Sequence, residues 1–272
     1  MSTLNSLSII GAGNIGTAIA RGLVKSGRLA ADKITLTRRH ADKLADLAAE
    51  GFATTTDNKA ALANNDLVIL AVEPGQLNDL LVEIAAVADP ARHTFVSVVT
   101  GASMADIADH LPAKVAVVRA MPNTAIAAGE SMTCLAGLAG YTAGLALAVE
   151  VFDSVGTTLV IDEEQMGAAT ALCACGTAFF LRAIRAASQG GIEIGFHSND
   201  ALAMAAQTAK GAAALLLARG LHPEREIDRV TTPRGATISG LNEMEHQGFS
   251  SALIKGITTS AQKVERLYKK DD

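Results

Sequence analysis

The 272-residue sequence has no tryptophan, two tyrosines and seven phenylalanines, so aromatic residues make up only 3% of it. Packing must therefore come from Ala, Leu, Val and Gly, which favours helices that meet closely through small side chains. Cysteine is scarce as well. Cys134, Cys173 and Cys175 form an odd set without disulfide-framework or zinc-finger spacing, which suits a reducing compartment. They read as small, buried apolar residues. Cys173 and Cys175, two apart on a helix, diverge by roughly 200° and cannot chelate one metal, so no metal is expected. There is no excess of basic charge: 23 Lys and Arg against 28 Asp and Glu give a net charge of -5. Without a basic stripe in either half, neither nucleic acid nor an anionic membrane is an expected partner. The first residues carry no basic segment and no long apolar run, leaving no room for a cleaved signal and implying a cytoplasmic protein. The length allows two ordinary domains, each able to bury a core.

What is present begins with Ser8-Ile9-Ile10-Gly11-Ala12-Gly13-Asn14-Ile15-Gly16, followed by the helical run Thr17 to Leu23. A short apolar strand enters a glycine-rich turn and a helix leaves it. Gly11 takes the tight turn, Gly13 lets the backbone approach a pyrophosphate, and Gly16 lets the helix pack on the strand. The competing reading is a purely structural glycine turn, but the strand-turn-helix context favours a dinucleotide site. Lys33 to Thr37 reads as the second strand. Where NAD enzymes place a ribose-binding carboxylate after it, this chain has Arg38-Arg39. Guanidinium groups bind a 2′-phosphate in a bidentate fork, so NADPH is preferred, with NADH as a second cofactor. The alternative is that two arginines open a solvated helix over His40 to Glu50.

Asp57 is a plausible N-cap for an alanine-rich helix. Asp66 to Val72 is a nearly continuous apolar run, as in a parallel strand buried on both faces, and is expected at the centre of the sheet. It stops at Glu73-Pro74-Gly75. Thr94 to Val99 and Val115 to Met121 repeat the pattern, and ligands of open parallel sheets bind outside the carboxyl ends of such strands. A helix over Ala143 to Asp153 and a last strand over Thr157 to Ile161 complete an α/β Rossmann domain, residues 1–161. The strand signal then disappears. Met166 to Leu181 holds no charge and is apolar nearly all round, which demands burial on most sides. A membrane span competes, yet the uncharged run is short of about twenty residues and lacks flanking anchors, so a subunit interface fits better. Helices over Asp200 to Arg219 and Ser250 to Tyr268 point to an all-α dimerisation and substrate-binding domain, residues 162–272.

Between these helices, Asp228 to Gly240 is rich in hydroxyls and glycine and leads into a helix over Leu241 to Gln247. The N-terminal turn of a helix offers unpaired N–H groups and partial positive charge, so Gly235, Ala236 and Thr237 can hold a small carboxylate. An ordinary cap, with Thr232 or Thr237 satisfying the backbone, is the equal alternative.

Six blocks taken together carry a resemblance: Ile10 to Gly16, Ala71-Val72-Glu73-Pro74, Ser97 to Gly101, Val118-Arg119-Ala120-Met121-Pro122-Asn123-Thr124, Ala205 to Ala212, and Val230 to Ile238. Through them the whole chain resembles the Δ1-pyrroline-5-carboxylate reductase family. The resemblance implies a Rossmann domain for NADPH, C-terminal helices that interlock two subunits with active sites at their interface, and homodimers assembled into a homodecamer. It implies cofactor contacts at Gly11, Ala12, Gly13, Asn14, Ile15, Gly16, Arg38, Arg39, Asn58, Ala71, Val72, Glu73, Pro74, Pro122 and Asn123. An imino-acid carboxylate would rest on Thr232, Gly235 and Ala236, and Thr237 would set its hydroxyl beside the imine nitrogen as the catalytic group. The reaction so implied is hydride transfer to a five-membered cyclic imine, giving L-proline in the last step of proline biosynthesis. A protonated iminium accepts hydride readily, so no catalytic histidine is needed, and His40, His93, His110, His197, His222 and His246 are all expected at the surface.

The chain departs from the family pattern in three places. Glu73 stands where Lys is common, Cys173-Ala174-Cys175-Gly176-Thr177 replaces a Ser-Gly-Ser-Gly-Pro run, and Thr232-Pro233-Arg234-Gly235 replaces Ser-Pro-Gly-Gly. A hydroxyacid dehydrogenase on the same scaffold would need a charged Lys in the helical part, where 162–220 offers only Lys210. A reductase of another cyclic imine and a non-enzymatic NADP(H) sensor are the other rivals.

Overall fold

In strand β1 (Leu7–Ile10) all four residues are buried, as a strand covered by helices on both faces requires. The structure is a computed structural model and describes residues 4–138 and 140–268. After β1 come α1 (Asn14–Lys25), β2 (Ile34–Thr37), α2 (Ala45–Ala49), β3 (Ala53–Thr55), α3 (Asn58–Ala63), β4 (Leu67–Leu70), α4 (Leu77–Ala85) and β5 (Thr94–Ser97). They are followed by α5 (Met104–Ala108), β6 (Ala116–Met121), β7 (Ser131–Gly137), α6 (Thr142–Asp153) and β8 (Gly156–Val160). The strands form one sheet in the order β3-β2-β1-β4-β5-β6-β7-β8. Strands β1 to β6 run parallel, β7 is antiparallel to β6, and β8 is parallel to β7. Leu7 pairs with Ile34 on one side and Leu67 on the other, so the strand order reverses at β1, where a dinucleotide fold opens its crevice.

Alternation sorts the central strands between two cores. Leu67 and Ile69 of β4 join Ile19 and Leu23 of α1 and Val151 and Phe152 of α6, whereas Val68 and Leu70 join Leu80 and Leu81 of α4 and Ile107 of α5. Asp57 caps α3 as expected, its Oδ1 accepting from the Ala60 N–H at 3.0 Å.

The sequence reading needs four corrections in the fold. Strands β3 and β7 were not anticipated: β3 is three residues long, and the buried hydroxyls Ser131 and Thr133 interrupt the apolar signal of β7. The helix expected over His40 to Glu50 is a 3-10 turn, Ala41–Leu44, followed by the short α2. Residues Pro223–Val230, outside the helices expected from the sequence, form a helix, α10. His93 is buried, not superficial. The Asp89 N–H donates to its Nδ1 at 2.8 Å, its Nε2 lies 3.3 Å from the Leu62 carbonyl, and its ring meets the edge of Phe95. Burial pushes its pKa down, so the ring is held neutral.

Beyond β8 the chain is helical: α7 (Met166–Ala169), a π-helical stretch Thr170–Cys175, α8 (Gly176–Glu193), α9 (Ser198–Arg219), α10 (Pro223–Val230), α11 (Ala236–His246) and α12 (Phe249–Tyr268). The molecule divides into two compact units, residues 1–174 with 261–272, and residues 175–260. This division differs from a boundary after residue 161 because Met166 is buried in the core of the sheet unit, where Ala169, Cys173 and Ala174 pack on it. In the helical unit a Cβ on Gly191 of α8 would come within 3.0 Å of the Ala201 Cβ on α9, so small residues set that approach. Glu226 of α10 pairs with Arg219 of α9 at 3.0 Å and with Arg229 at 3.1 Å. By length and composition, the helical runs Glu163–Glu193 and Ser198–Arg219 are long and apolar enough to cross a membrane.

Candidate active site

The first turn after β1 is fixed by close backbone approaches. Gly11 has φ +100°, and a Cβ there would lie 2.5 Å from the Ala71 carbonyl oxygen. A Cβ on Gly16 would strike the Gly11 carbonyl and come within 3.1 Å of the Ile9 side chain. The Ala12 N–H donates to Thr37 O and the Ala71 N–H to Ile10 O, both at 2.8 Å, which ties the turn to β2 and β4. Gly13 differs, since a Cβ there would meet no protein atom within 4 Å. No protein contact demands that glycine, as expected where a ligand's backbone-close approach does. Gly13 is also the N-cap of α1 without a side-chain cap, leaving first-turn N–H groups for an anion.

A cleft of about 760 Å³ lies at this turn. Of the residues expected at the cofactor, Gly11, Ala12, Gly13, Arg38, Arg39, Asn58, Ala71, Val72 and Glu73 line it. Asn14, Ile15, Gly16, Pro74, Pro122 and Asn123 are not in the lining. Asn14 to Gly16 form the first turn of α1, and Pro74 opens a 3-10 turn, Pro74–Gln76. Pro122 and Asn123 follow β6, where Asn123 Oδ1 accepts from the Ala125 N–H at 3.0 Å and its Nδ2 donates to the Cys173 carbonyl at 3.3 Å.

The cleft adds residues that the sequence reading missed. His40 and Lys43 join Arg38 and Arg39 on one wall, with Thr56 nearby, and Gln76, Asp79, Leu80 and Glu83 form another. Among the described residues, Arg38, Arg39 and Lys43 make no ion pair. Unpaired cations clustered on one wall suit a phosphate, and the run Arg38-Arg39-His40 with Lys43 four residues beyond Arg39 was the available signal. Asn58 is held at both ends of its amide: Thr37 Oγ1 donates to its Oδ1 at 2.8 Å, and its Nδ2 donates to Glu83 at 3.1 Å. Open Gly13, an uncapped helix terminus and a cationic wall together fit a 2′-phosphorylated dinucleotide.

The second segment is built differently from the expectation. Helix α11 begins at Ala236, five residues earlier than Leu241, so Thr237 sits in its first turn. Gly235 is the N-cap, and neither Thr232 nor Thr237 caps the helix with its side chain, which removes the ordinary-cap alternative. The Gly235 N–H donates to Thr232 O at 2.9 Å, and a Cβ on Gly235 would lie 2.5 Å from Thr232 Oγ1. Only glycine brings that hydroxyl so near the helix start. Arg234 takes φ +58°, a left-handed conformation that glycine adopts freely and arginine does not. Thr232, Ala236 and Thr237 are exposed in the single chain.

A parallel sheet that feeds a glycine turn, with a cleft lined by Arg38, Arg39 and Lys43 where the strand order reverses, defines a dinucleotide-binding protein of the Rossmann class. Residues 6–101 match the family described as NADP oxidoreductase, coenzyme F420-dependent, and residues 163–267 match pyrroline-5-carboxylate reductase dimerisation. Pyrroline-5-carboxylate reductase 2 of Dictyostelium discoideum is 47% identical over 274 residues, covering 95% of this chain and 91% of that protein. Reductase 1 of the same organism is 51% identical across 97% of this chain, which spans half of that longer protein. A pyrroline-5-carboxylate reductase from Coxiella burnetii superposes with a TM-score of 0.91 at 27% identity, covering 99% of this chain and all of that one. The chain belongs to the pyrroline-5-carboxylate reductase family and is thus an NADP-linked oxidoreductase.

Proposed function

We propose that this chain reduces L-Δ1-pyrroline-5-carboxylate to L-proline with NADPH, and that Thr237 is the side chain that touches the reacting nitrogen. The observation that carries the reading is the uncapped start of α11, with Thr237 in its first turn and Thr232 drawn close by Gly235. The first-turn N–H groups from Ala236 onward and the Thr232 hydroxyl, brought together by the turn at Gly235, are suited to an imino-acid carboxylate. The Thr237 hydroxyl hydrogen-bonds the ring nitrogen and keeps the substrate oriented while that nitrogen loses its positive charge. Because the iminium arrives protonated, the product amine forms without a separate proton donor.

Bound NADPH supplies the hydride. The turn from Gly11 to Gly16 takes the pyrophosphate, and Arg38 and Arg39 take the 2′-phosphate. Asn58 serves the adenosine ribose. Ala71, Val72, Glu73 and Pro74, with Pro122 and Asn123, border the nicotinamide. These residues align donor and acceptor, which is most of what a hydride transfer asks of a protein. Residues 1–161 act as the nucleotide domain, and 162–272 as the dimerisation and substrate domain. The working unit is a cytoplasmic homodimer, built up into a decamer.

The test is oxidation of NADPH by the purified protein with the five-membered imine, beside its six-membered homologue and a 3-hydroxy acid run in reverse with NADP. Fast turnover on the five-membered ring with proline as product is expected. Turnover on the larger ring alone would move the substrate, and turnover on the hydroxy acid alone would overturn the assignment.

A further inference from the structure

The amide of Asn58, at the start of α3, is gripped by two side chains of different chemistry. Thr37, the buried last residue of β2, donates its hydroxyl to Asn58 Oδ1 at 2.8 Å, and Asn58 Nδ2 donates to Glu83 Oε2 of α4 at 3.1 Å. All three residues line the cleft at the glycine turn. A hydroxyl both donates and accepts, so Thr37 tolerates either end of the amide, whereas a carboxylate only accepts, so the amino end must face Glu83. Thr37 holds the amide in place; Glu83 decides which way round it lies. Among the described residues Glu83 forms no ion pair, so no cation competes with Asn58 for its oxygens.

We propose that Glu83 is a positioning residue for the dinucleotide, setting the direction of the Asn58 amide and hence the order in which a donor and an acceptor meet the adenosine ribose. The inference rests on the assignment of Asn58 to that ribose. An amide carries two N–H groups on nitrogen and two lone pairs on oxygen. Glu83 and Thr37 occupy one of each, which leaves one N–H and one lone pair, on fixed sides, for the ribose hydroxyl that NADPH and NADH share. Without Glu83 the amide turns over, and the cofactor must order it on binding, at a cost in affinity. Charge acts the other way. The cofactor is anionic, so a carboxylate working only through its field weakens binding, and its removal would tighten NADPH most, with its extra phosphate. Positioning and repulsion therefore predict opposite signs. Arg38 and Arg39 meet the phosphate that only NADPH carries, whereas the Glu83 effect should not depend on that phosphate.

The experiment titrates the full-length protein with NADPH and with NADH, without any imine, and compares Glu83→Gln with Glu83→Met. Both substitutions remove the charge, but only glutamine keeps an oxygen that accepts from Asn58 Nδ2. The Met variant should bind both cofactors about fivefold more weakly than the Gln variant, the effect of one hydrogen bond that orders a side chain. In an Asn58→Ala background, with folding checked by the Tm, the difference between Gln and Met should vanish. Asn58→Ser serves in its place should the alanine variant not fold. Equal affinities in the Gln and Met variants, tighter binding by Met, a difference confined to NADPH, or one that persists without Asn58 would each overturn the proposal. Asn58→Ala that binds both cofactors as tightly as the parent would overturn the ribose assignment and the proposal together. Weaker binding by Asn58→Ala, with Gln and Met alike, would overturn the Glu83 proposal alone.

Discussion

The two units solve the burial problem in opposite ways. In the sheet unit the apolar strands are sealed from both faces, and Leu7, Ile9, Leu67 and Ile69 are essentially inaccessible. In residues 175–260 the buried residues are only Gly176, Ser188 and Ala201. There Phe180 and Leu181 are each 59% exposed and Leu217 is 87% exposed. A soluble monomer rarely shows apolar surface on that scale. The sheet unit is a finished domain, whereas the helical unit is half of a structure whose other half is a second copy. That agrees with the match of residues 163–267 to a dimerisation family.

The sharpest way to break this contrast is to charge the helical surface. Phe180→Asp with Leu181→Asp should reduce the mass in solution to that of one chain and cut activity by about 10³-fold, since a buried interface rejects unpaired charge. Light scattering that still reports the parental mass would refute the half-structure reading. The next largest effect belongs to the sheet unit. Arg38→Ala with Arg39→Ala should raise the KM for NADPH about 10²-fold and leave that for NADH within about threefold, as expected when charge-assisted bonds to a phosphate are lost. Equal changes for the two cofactors would remove 2′-phosphate recognition from these arginines.

In the helical unit, Thr237→Ala should lower kcat about 30-fold, the loss of one hydrogen bond to a charged group, with NADPH affinity unchanged. Thr237→Ser should recover most of the rate, and an unaltered rate in the alanine variant would take Thr237 out of the mechanism. The smallest effect concerns stability. The folded pKa of His93 is lowered by burial, so above the ordinary histidine range the ring is neutral in both states and its contribution is complete. As the pH falls through that range the unfolded chain takes up the proton first, and stability is lost until the folded ring also titrates. The Tm should fall by a few degrees between neutral and mildly acidic pH, and His93→Gln should flatten that slope. A slope unchanged by the substitution would show that other groups set it.

Legibility followed the strength of local signals. Asp66 to Val72 announced a central strand because parallel strands covered on both faces carry unbroken apolar runs, and β4 is found there. Asp57 announced its cap because an Asx side chain reaches the third helical N–H. Strand β7 was not legible, because its buried Ser131 and Thr133 satisfy each other at 3.1 Å, a pairing invisible before the strand exists. His93 is illegible for a related reason: the Leu62 carbonyl beside its Nε2 belongs to α3, far away in the chain. Helix α11 was placed too late because Gly235 and Thr237 read as turn chemistry, and Arg234 hid a position whose backbone is left-handed.

The sequence by itself determined the class of the protein. Glycines at 11, 13 and 16, arginines at 38 and 39, and the uncharged run after 166 each follow from sterics, charge or apolar periodicity within a few residues. Tertiary structure alone decided which glycines answer to the protein, since a Cβ on Gly11 or Gly16 would be pressed by Ala71 or Ile9 while one on Gly13 would meet no neighbouring atom within 4 Å. It also decided that Lys43 lines the same cleft as the arginines. Those relations join residues far apart in the chain, or, for Lys43, depend on the 3-10 turn that carries it, and no local pattern encodes a distance that only the folded backbone sets.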